Sequence, residues 1–261
     1  MTEPRRMAVP RVLVTRPAAQ AAEWVDRLRS AGVPAQALPL IDIAPADDAG
    51  AVRGAWPGLS AKALVLFVSP NAAAHFFALK PKGLAWPAGV LAGSPGPGTT
   101  EALKRLGVPS SLIAEPAADS LQFDSEALWA QLAGRDWAGA DVLVVRGTSG
   151  RDWLADRFRE RGAAVGLLAA YRRSPPQLDA AGMALLGEAV AQPAEHLWFF
   201  SSSEAVDHLQ ALAPQAGWPA ARALATHPRI AERARRLGML EVREARPAFE
   251  AVVACIQSLA S

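Results

Sequence analysis

The stretch VLVVRGTSGRDWLADRFRERGAAVGLLAAYRR, residues 142–173, decides the fold. It opens with four apolar, mostly β-branched residues that are followed by the glycine-rich turn at residues 147–150, which predicts a buried strand. Apolar residues about one helical turn apart then predict an amphipathic helix that starts near Trp153 and stops at Gly162. A second strand follows at residues 165–171. The stretch is therefore predicted to be a strand, turn, helix, strand unit.

Composition bounds the class of protein. With 261 residues, 51% of them hydrophobic and 20% charged, the chain is long enough for two α/β units that each bury a core. Residues 1–11 lack the apolar core of a signal peptide, and no run reaches the roughly 18–20 apolar residues of a membrane span, so we expect a cytoplasmic protein without membrane contacts. Cys255 is the single cysteine, and no Cys and His cluster has metal-ligand spacing. An intramolecular disulfide and a metal site are therefore not expected.

The charge distribution points to a small ligand. The net charge is only +2, which does not indicate a broad nucleic-acid surface. Arginines nevertheless lie where predicted strands end and turns begin, at Arg16, Arg146, Arg151 and Arg229. This placement favours a small polyanionic ligand and no nucleic acid.

The chain contains an internal duplication. Three pairs of similar segments are each offset by about 130 residues. The pairs are 12–40 with 142–173, 63–79 with 197–212, and 91–108 with 224–239. Alternating strands and helices predict two flavodoxin-like parallel sheets with helices on both faces. Ligands of such sheets bind outside the carboxyl ends of the strands, so we call the turns after residues 14, 68, 91, 145, 200 and 225 the rim turns.

Two divisions into domains fit the sequence. The first cuts the chain once, near residues 125–140. The second uses two extended segments, one beginning near residue 38 and one near residue 167, as hinges. It would give one domain in the middle of the chain and another from both chain ends. Periodicity alone does not choose between them.

The rim turns are rich in small hydroxyl residues, and two interpretations apply. Such residues cap helices, which alone explains most of them. Several helix starts that face one cleft also bind carboxylates or phosphates through free N–H groups. The residues are Thr15, Ser69, Thr99, Thr100, Thr148, Ser149, Ser201, Ser202, Ser203 and Thr226. The glycine-rich run at residues 93–99 lacks a P-loop lysine and dinucleotide spacing, so we do not expect a nucleotide there.

Conventional catalytic groups are scarce. His75 and His208 fall inside predicted helices and His196 just before a strand, where packing is the simpler interpretation. No Ser, His and acid combination has legible spacing, and Cys255 lies on an apolar helix face. Tyr171, the one tyrosine in the chain, differs because it falls in a hinge segment. There a phenol can donate a hydrogen bond to a leaving group.

Several motifs in one order carry a family resemblance. They are VLVTRP at 12–17, FVSPNA at 67–72, GPGTTEAL at 96–103, VLVVRG at 142–147, YRR at 171–173 and FFSSSEAV at 199–206. Together they resemble the uroporphyrinogen-III synthase family over nearly the whole chain. The resemblance implies a cofactor-free hydro-lyase of tetrapyrrole and heme biosynthesis that cyclises hydroxymethylbilane to uroporphyrinogen III. It also implies that the last ring inverts through a spiro intermediate and that water is lost.

The family fold selects the second division. It implies a discontinuous domain at residues 1–38 and 174–261, an inserted domain at 50–166, and linker strands at 39–49 and 167–173. The resemblance also implies that the two domains open and close over the substrate. The expected partner is this polycarboxylate substrate. We also expect a monomer, for which a transient contact with the preceding pathway enzyme is an open alternative.

The resemblance also assigns site residues. Tyr171 matches the family's linker tyrosine, which is thought to assist departure of the hydroxyl. Ser69, Thr99, Ser201 and Ser203 match hydroxyls that line the cleft. The further substrate-binding candidates are Arg16, Asn71, Arg146, Ser202, Thr226 and Arg229.

The chain departs from the family pattern at two rim turns. Where many members have a threonine in the last rim turn this chain has Ile230, so Thr226 or Arg229 is expected to replace it. Ser94 and Pro95 also lengthen an earlier turn. The alternative function is a non-enzymatic two-domain sensor or carrier of a small polyanion. A pair of phosphotransfer receivers is disfavoured because the rim has almost no acidic residues.

Overall fold

The computed structural model describes residues 9–120 and 122–259. Its chain divides into two compact units, between Asp42 and Ile43 and again between Arg173 and Ser174. We call Ile43–Arg173 the inserted unit, and the unit that contains the flanking residues on both sides the split unit.

Strands form at the short apolar runs of the sequence. In chain order they are β1 (Arg11–Val14), β2 (Ala35–Ala37), β3 (Asp42–Pro45), β4 (Leu64–Phe67), β5 (Leu91–Gly93), β6 (Ile113–Ala114), β7 (Asp141–Gly147), β8 (Ala164–Ser174), β9 (His196–Phe200), β10 (Arg222–Ala225) and β11 (Glu241–Glu244). Strands β4, β9 and β10 are buried along their whole length. Such burial is typical of parallel sheets that are covered on both faces.

Helices alternate with these strands. They are α1 (Ala18–Ser30), α2 (Ala49–Ala55), α3 (Pro70–Ala78), α4 (Pro97–Arg105), α5 (Ser125–Leu132), α6 (Trp153–Glu160), α7 (Ala180–Ala191), α8 (Ser203–Leu212), α9 (Pro228–Leu237) and α10 (Phe249–Ser258). Helices α3, α4 and α9 each begin at a proline, whose missing N–H costs nothing in a first helical turn. None of the helices within residues 9–120 and 122–259 is long and apolar enough to cross a lipid bilayer.

The split unit contains a five-stranded sheet in the order β2, β1, β9, β10, β11, and every neighbouring pair is parallel. This is the flavodoxin-like order. Trp24, Leu28, Phe199 and Ile256 pack into its core from helices α1 and α10 and from strand β9. Cys255 is half-buried against the same core, as its apolar helix face predicts.

The inserted unit contains a six-stranded sheet in the order β3, β8, β7, β4, β5, β6. The pairs from β8 to β6 are parallel. On one side of this sheet Trp56 stacks on Phe76 with ring centroids 4.5 Å apart. The predicted fold class, two flavodoxin-like parallel sheets, is confirmed.

The duplication explains both sheet orders. The two sheets correspond strand by strand: the order β8, β7, β4, β5, β6 in the inserted unit matches the order β2, β1, β9, β10, β11 in the split unit. The first strand pair of each repeat therefore lies beside the later strands of the other repeat. The stretch at residues 142–173 completes the sheet that β4 begins, since β7 pairs with β4 from Val142 opposite Leu64 to Val145 opposite Phe67.

Strand β7 is longer than the sequence suggests. Arg146 and Gly147, which were expected in the turn, still pair with β8. The register shifts from Arg146 opposite Ala169 to Gly147 opposite Tyr171, so Ala170 is the extra residue of a bulge. On the far side of β8, Ala46 N donates to Ala170 O at 3.3 Å beside edge strand β3. Both segments expected to be linker strands thus contribute to the sheet of the inserted unit.

Candidate active site

Tyr171 lies at the carboxyl end of β7 and β8 and is fully buried. Its Oη accepts a hydrogen bond from Arg173 Nη2 at 2.8 Å. The same oxygen lies 3.1 Å from Ser69 Oγ. Residues two apart in a strand share a face, which is why Arg173 reaches the phenol. The sole tyrosine is therefore held by a cation on one side and a hydroxyl on the other.

The phenol ring fits because its strand partner is glycine. A Cβ on Gly147 would lie 3.1 Å from Tyr171 Cζ and 3.4 Å from its Oη. His75 of α3 stacks against the phenol, with ring centroids 5.9 Å apart and planes 22° from parallel. Burial lowers the pKa of His75 below its ordinary value, which favours a neutral imidazole beside the phenol.

Ser69 joins the phenol to the start of α3. Its Oγ accepts from Ala72 N at 3.1 Å and so caps the helix, while Asn71 is half-buried in the first turn. The positive end of the helix dipole lies at this turn. The capping interpretation of Ser69 is therefore confirmed, and its role in ligand binding stays a prediction that the same geometry allows.

The turn after β5 lies beside the Ser69 turn. A Cβ on Gly98 would lie 3.6 Å from Pro70 Cγ, so the starts of α3 and α4 are neighbours. Thr99 is buried in the first turn of α4. Ser94, in the lengthened part of the turn, donates to Gly96 O at 2.9 Å and is fully buried. Ser94 thus stabilises this turn from within.

Arg146 is bound to its own turn. Its Nη1 forms an ion pair with Asp152 Oδ1, and its Nη2 donates to Gly150 O at 2.7 Å. The side chain is only 11% exposed. Arg151 instead pairs with Glu126 at 3.0 Å. Arg146 therefore shapes the turn after β7 by holding residues 147–152, the first of which lies against the phenol.

In the split unit, Arg16 follows β1 and stacks over Trp24, with its guanidinium carbon 4.7 Å from the ring centroid. Its Nε is buried without a hydrogen-bond partner. Desolvation lowers the pKa of Arg16 to about 10; Glu23 opposes this shift and Arg27 adds to it. The guanidinium remains charged at neutral pH and is poorly compensated, which is the condition for attracting a carboxylate.

The remaining predicted residues of the split unit lie at the carboxyl ends of β9 and β10. Ser201 and Ser202 lie between β9 and α8, Ser203 is the first residue of α8, and all three are half-buried. Ser202 accepts from Glu204 N at 3.2 Å. Thr226 is half-buried after β10, and its N donates to Phe200 O at 3.1 Å. These hydroxyls share one edge of the sheet.

The last rim turn is capped by a histidine. His227 Nδ1 accepts from Arg229 N at 3.1 Å, and Arg229 is exposed. Ile230 is only 7% exposed and packs inside α9. A threonine side chain at this position would face the core, so the polar side chains of this turn are those of Thr226, His227 and Arg229.

Comparisons with known proteins identify the family. Residues 22–254 match the family model described as uroporphyrinogen-III synthase HemD. The chain belongs to the uroporphyrinogen-III synthase family. The uroporphyrinogen-III synthases of Escherichia coli K12 and of Salmonella typhimurium LT2 are each 29% identical to it over 239 residues, which is 90% of this chain and 94% of each relative.

Solved structures of the family share the fold. A mutant uroporphyrinogen III synthase from Thermus thermophilus matches with a TM-score of 0.59 and 19% identity, over 96% of this chain and 98% of that one. The synthetase from Helicobacter pylori 26695 matches with a TM-score of 0.54 and 13% identity, over 96% and 99% of the two chains. At these identities the likeness supports the two-sheet architecture.

The predicted residues separate into two groups. Tyr171, Ser69, Asn71, Thr99 and Arg146 lie at the carboxyl edge of the inserted unit's sheet. The others, Arg16, Ser201, Ser202, Ser203, Thr226 and Arg229, lie at the corresponding edge of the split unit's sheet.

Two residues that contact Tyr171 in this uroporphyrinogen-III synthase family member, Arg173 and His75, were not among the site residues predicted from the sequence. Arg173 had a readable signal, since its spacing from Tyr171 in a strand places both on one face. His75 had none, because the contact of a mid-helix histidine with a distant strand depends on tertiary packing. Within the described residues, no group of three or more His, Cys, Asp or Glu side chains is arranged to hold a metal ion.

Proposed function

We propose that this protein cyclises hydroxymethylbilane to uroporphyrinogen III, with loss of water and inversion of the last ring. The observation that carries the proposal is the array of Ser69, Tyr171 and Arg173 at the carboxyl edge of a sheet in a chain of this family. Ligands of such sheets bind at this edge. The array offers a hydroxyl donor where a leaving hydroxyl requires one.

The substrate's carboxylates match the polar groups of the two rims. The helix starts at Ser69, at Thr99 and at the serines 201–203 present backbone N–H groups and the positive end of a dipole. Arg16 and Arg229 supply charge, Asn71 and Thr226 supply neutral polar groups, and Arg146 supports the turn after β7. We propose that these residues bind the substrate, Arg146 indirectly, through the turn that its side chain holds.

The main requirement of this reaction is that the protein hold the substrate in the correct conformation. Departure of the hydroxyl as water, with a proton from the protein, leaves an azafulvenium. The substituted carbon of the last ring attacks it to give a spiro intermediate, and fragmentation and reclosure then invert that ring. The spontaneous closure without inversion competes, so the enzyme must hold the chain in the folded pose. Tyr171 assists departure of the hydroxyl. The net reaction involves no redox change, and we propose that it needs no metal or cofactor.

The setting of the reaction follows from the same proposal. We propose a cytoplasmic monomer that binds neither nucleic acid nor membrane and that contacts the preceding pathway enzyme transiently when it receives the substrate. The proposed linker strands, residues 39–49 and 167–173, include or adjoin the two points where the chain passes between its units.

The decisive experiment is incubation with freshly prepared hydroxymethylbilane, followed by separation of the type I and type III isomers after oxidation. Predominant type III product, formed also in the presence of a chelator, is the expected result. Type I product alone, at the rate seen without protein, would exclude the synthase activity. Retained tight binding of uroporphyrinogen in that case would favour a polyanion carrier.

A further inference from the structure

The hydrogen bonds around Tyr171 have a definite direction. Arg173 is a donor only, so Tyr171 Oη must accept from it. Ser69 Oγ accepts from Ala72 N. Between Ser69 and Tyr171 a single hydrogen remains to be placed on the 3.1 Å line that joins their oxygens.

Burial decides where this hydrogen belongs. Tyr171 is 0% exposed, so a phenolic hydrogen that did not point at Ser69 would be a buried donor without an acceptor, which costs about 1–3 kcal/mol. Ser69 is half-buried, and its own hydrogen can point away from the protein without that cost. The phenol therefore donates to Ser69, and Ser69 keeps a free outward donor.

From this geometry, and on the basis of the proposed function, we infer that Ser69 is the catalytic residue that touches the leaving hydroxyl. Tyr171 and Arg173 are positioning residues that act through it. The tyrosine is fully covered and does not reach the substrate. It supplies the proton that Ser69 passes on.

The step balances in atoms and charge. The bond between the methylene carbon and the hydroxyl oxygen breaks, and its electron pair leaves on oxygen while the pyrrole nitrogen's lone pair forms the azafulvenium. The departing oxygen takes the Ser69 proton, and Ser69 takes the Tyr171 proton, so water is released. The phenolate that remains faces the Arg173 guanidinium, an opposite charge 2.8 Å away in the resting state.

The cycle closes with the proton released at the end of the reaction. Fragmentation of the spiro intermediate breaks the bond between the last ring and the methylene carbon that bridged the last two rings. Reclosure joins this bridging carbon to the free α-carbon of the last ring, and the α-carbon then loses its hydrogen as a proton. Returning this proton through Ser69 restores the phenol. The proton in the released water is thereby replaced from the substrate itself, so no outside acid is consumed.

Activity measurements separate this relay from direct action by the phenol. Ser69→Gly removes the hydroxyl yet costs only a few tenths of a kcal/mol as a helix cap. We expect Ser69→Gly and Tyr171→Phe each to lower kcat by about 10²- to 10⁴-fold, the double variant to lose no more than Ser69→Gly alone, and Ser69→Thr to restore turnover. Asp179→Gly, which removes the cap of α7, is the control for capping. Full turnover in Ser69→Gly with loss in Tyr171→Phe would overturn the relay.

A second measurement does not depend on turnover. Since the chain has one tyrosine, ¹³Cζ-tyrosine labelling gives a single NMR signal for Tyr171. Losing an acceptor and losing a donor shift this signal in opposite directions. Ser69→Gly and Arg173→Met are therefore expected to move it oppositely, and movement in the same direction would overturn the assignment even in protein without activity. A wild-type protein that forms only type I isomer instead rejects the proposed function and leaves this hydrogen-bond test in force.

Discussion

Gly147 lies directly opposite Tyr171 in the pairing of β7 with β8, and a Cβ at Gly147 would come within 3.2 Å of two atoms of the phenol ring. The φ angle of Gly147 is not in the left-handed region, so the requirement for glycine is steric. A glycine at the end of this strand thus sets the position of the residue at the centre of the site.

Gly147→Ala is expected to displace the phenol from Ser69 and Arg173. A shift of about 1 Å at a catalytic group costs on the order of 10²-fold in rate, and overpacking costs about 1–3 kcal/mol of stability. Steady-state kinetics and thermal unfolding measure both effects. Gly166→Ala on β8 is the matched control, because its Cβ would meet Leu143 Cδ1 at an ordinary 3.6 Å. Equal turnover in the two variants would contradict the steric role of Gly147.

Much of this arrangement was readable in the sequence. Short apolar runs, the helix that starts at Trp153 and the internal duplication predict parallel sheets whose carboxyl ends carry Ser69 and Thr99. Such features depend on local periodicity and on repeat spacing. Gly147 shows where prediction from local sequence fails, since its neighbours predict a turn residue and it lies in strand β7. A bulge at Ala170 keeps it in the strand, and bulges depend on pairing between distant segments.

Arg146 shows that local sequence also fails to predict the direction of a long side chain. Its position after an apolar strand indicated a ligand-binding arginine, but its guanidinium is bound to Asp152 and to Gly150 O. The direction of a long side chain depends on the shape of the turn that follows it. A single sequence does not encode that shape in any local pattern.

Arg146→Ala is accordingly expected to act by loosening residues 147–152. Asp152→Asn breaks the same ion pair while leaving the arginine charge. A partly exposed pair of this kind contributes about 1 kcal/mol, so both variants should lower turnover modestly, and their two turnover numbers should agree within about threefold. Hydrogen exchange of the turn and kcat are the measurements. A rise in KM confined to Arg146→Ala would show instead that the guanidinium binds substrate.

Ile230→Thr tests whether the last rim turn needs the hydroxyl that many family members carry. The side chain is 7% exposed among the core residues of α9, so threonine would bury a hydroxyl and leave a gap. We expect a loss of about 1–3 kcal/mol in unfolding free energy and no gain in kcat/KM. Ile230→Val, with an expected loss of about 0.5–1.5 kcal/mol, is the control for volume. A higher kcat/KM in the threonine variant would contradict this expectation.

Arg16→Met tests the charge at the split unit's rim. Methionine keeps the apolar stem over Trp24 and removes a guanidinium whose pKa burial lowers to about 10. Stability should be equal or slightly higher, because an uncompensated buried charge is lost. Binding of uroporphyrinogen should weaken about tenfold or more, the value of a hydrogen bond to a charged group. Arg27→Met is the control, since Arg27 stacks on Trp24 and Phe249 from the last turn of α1. Equal weakening in both variants would point to packing instead of charge.

His75 predicts a pH dependence of stability. Burial lowers its pKa in the folded state below the 6.5 expected when it is unfolded. The unfolded chain therefore binds the proton first as pH falls, so this contribution to stability is fully present above pH 6.5 and is lost as pH falls through the lower folded value.

His75→Gln should flatten the acid side of the Tm against pH curve below 6.5, while Ala74→Gln, at an exposed neighbouring position of α3, should leave that side unchanged. Thermal unfolding across this range is the measurement. Protonation would also place a cation beside the phenol that already faces Arg173, at a ring distance of 5.9 Å. A Tm curve for His75→Gln that falls as steeply as the wild-type curve below pH 6.5 would assign the acid sensitivity to another group.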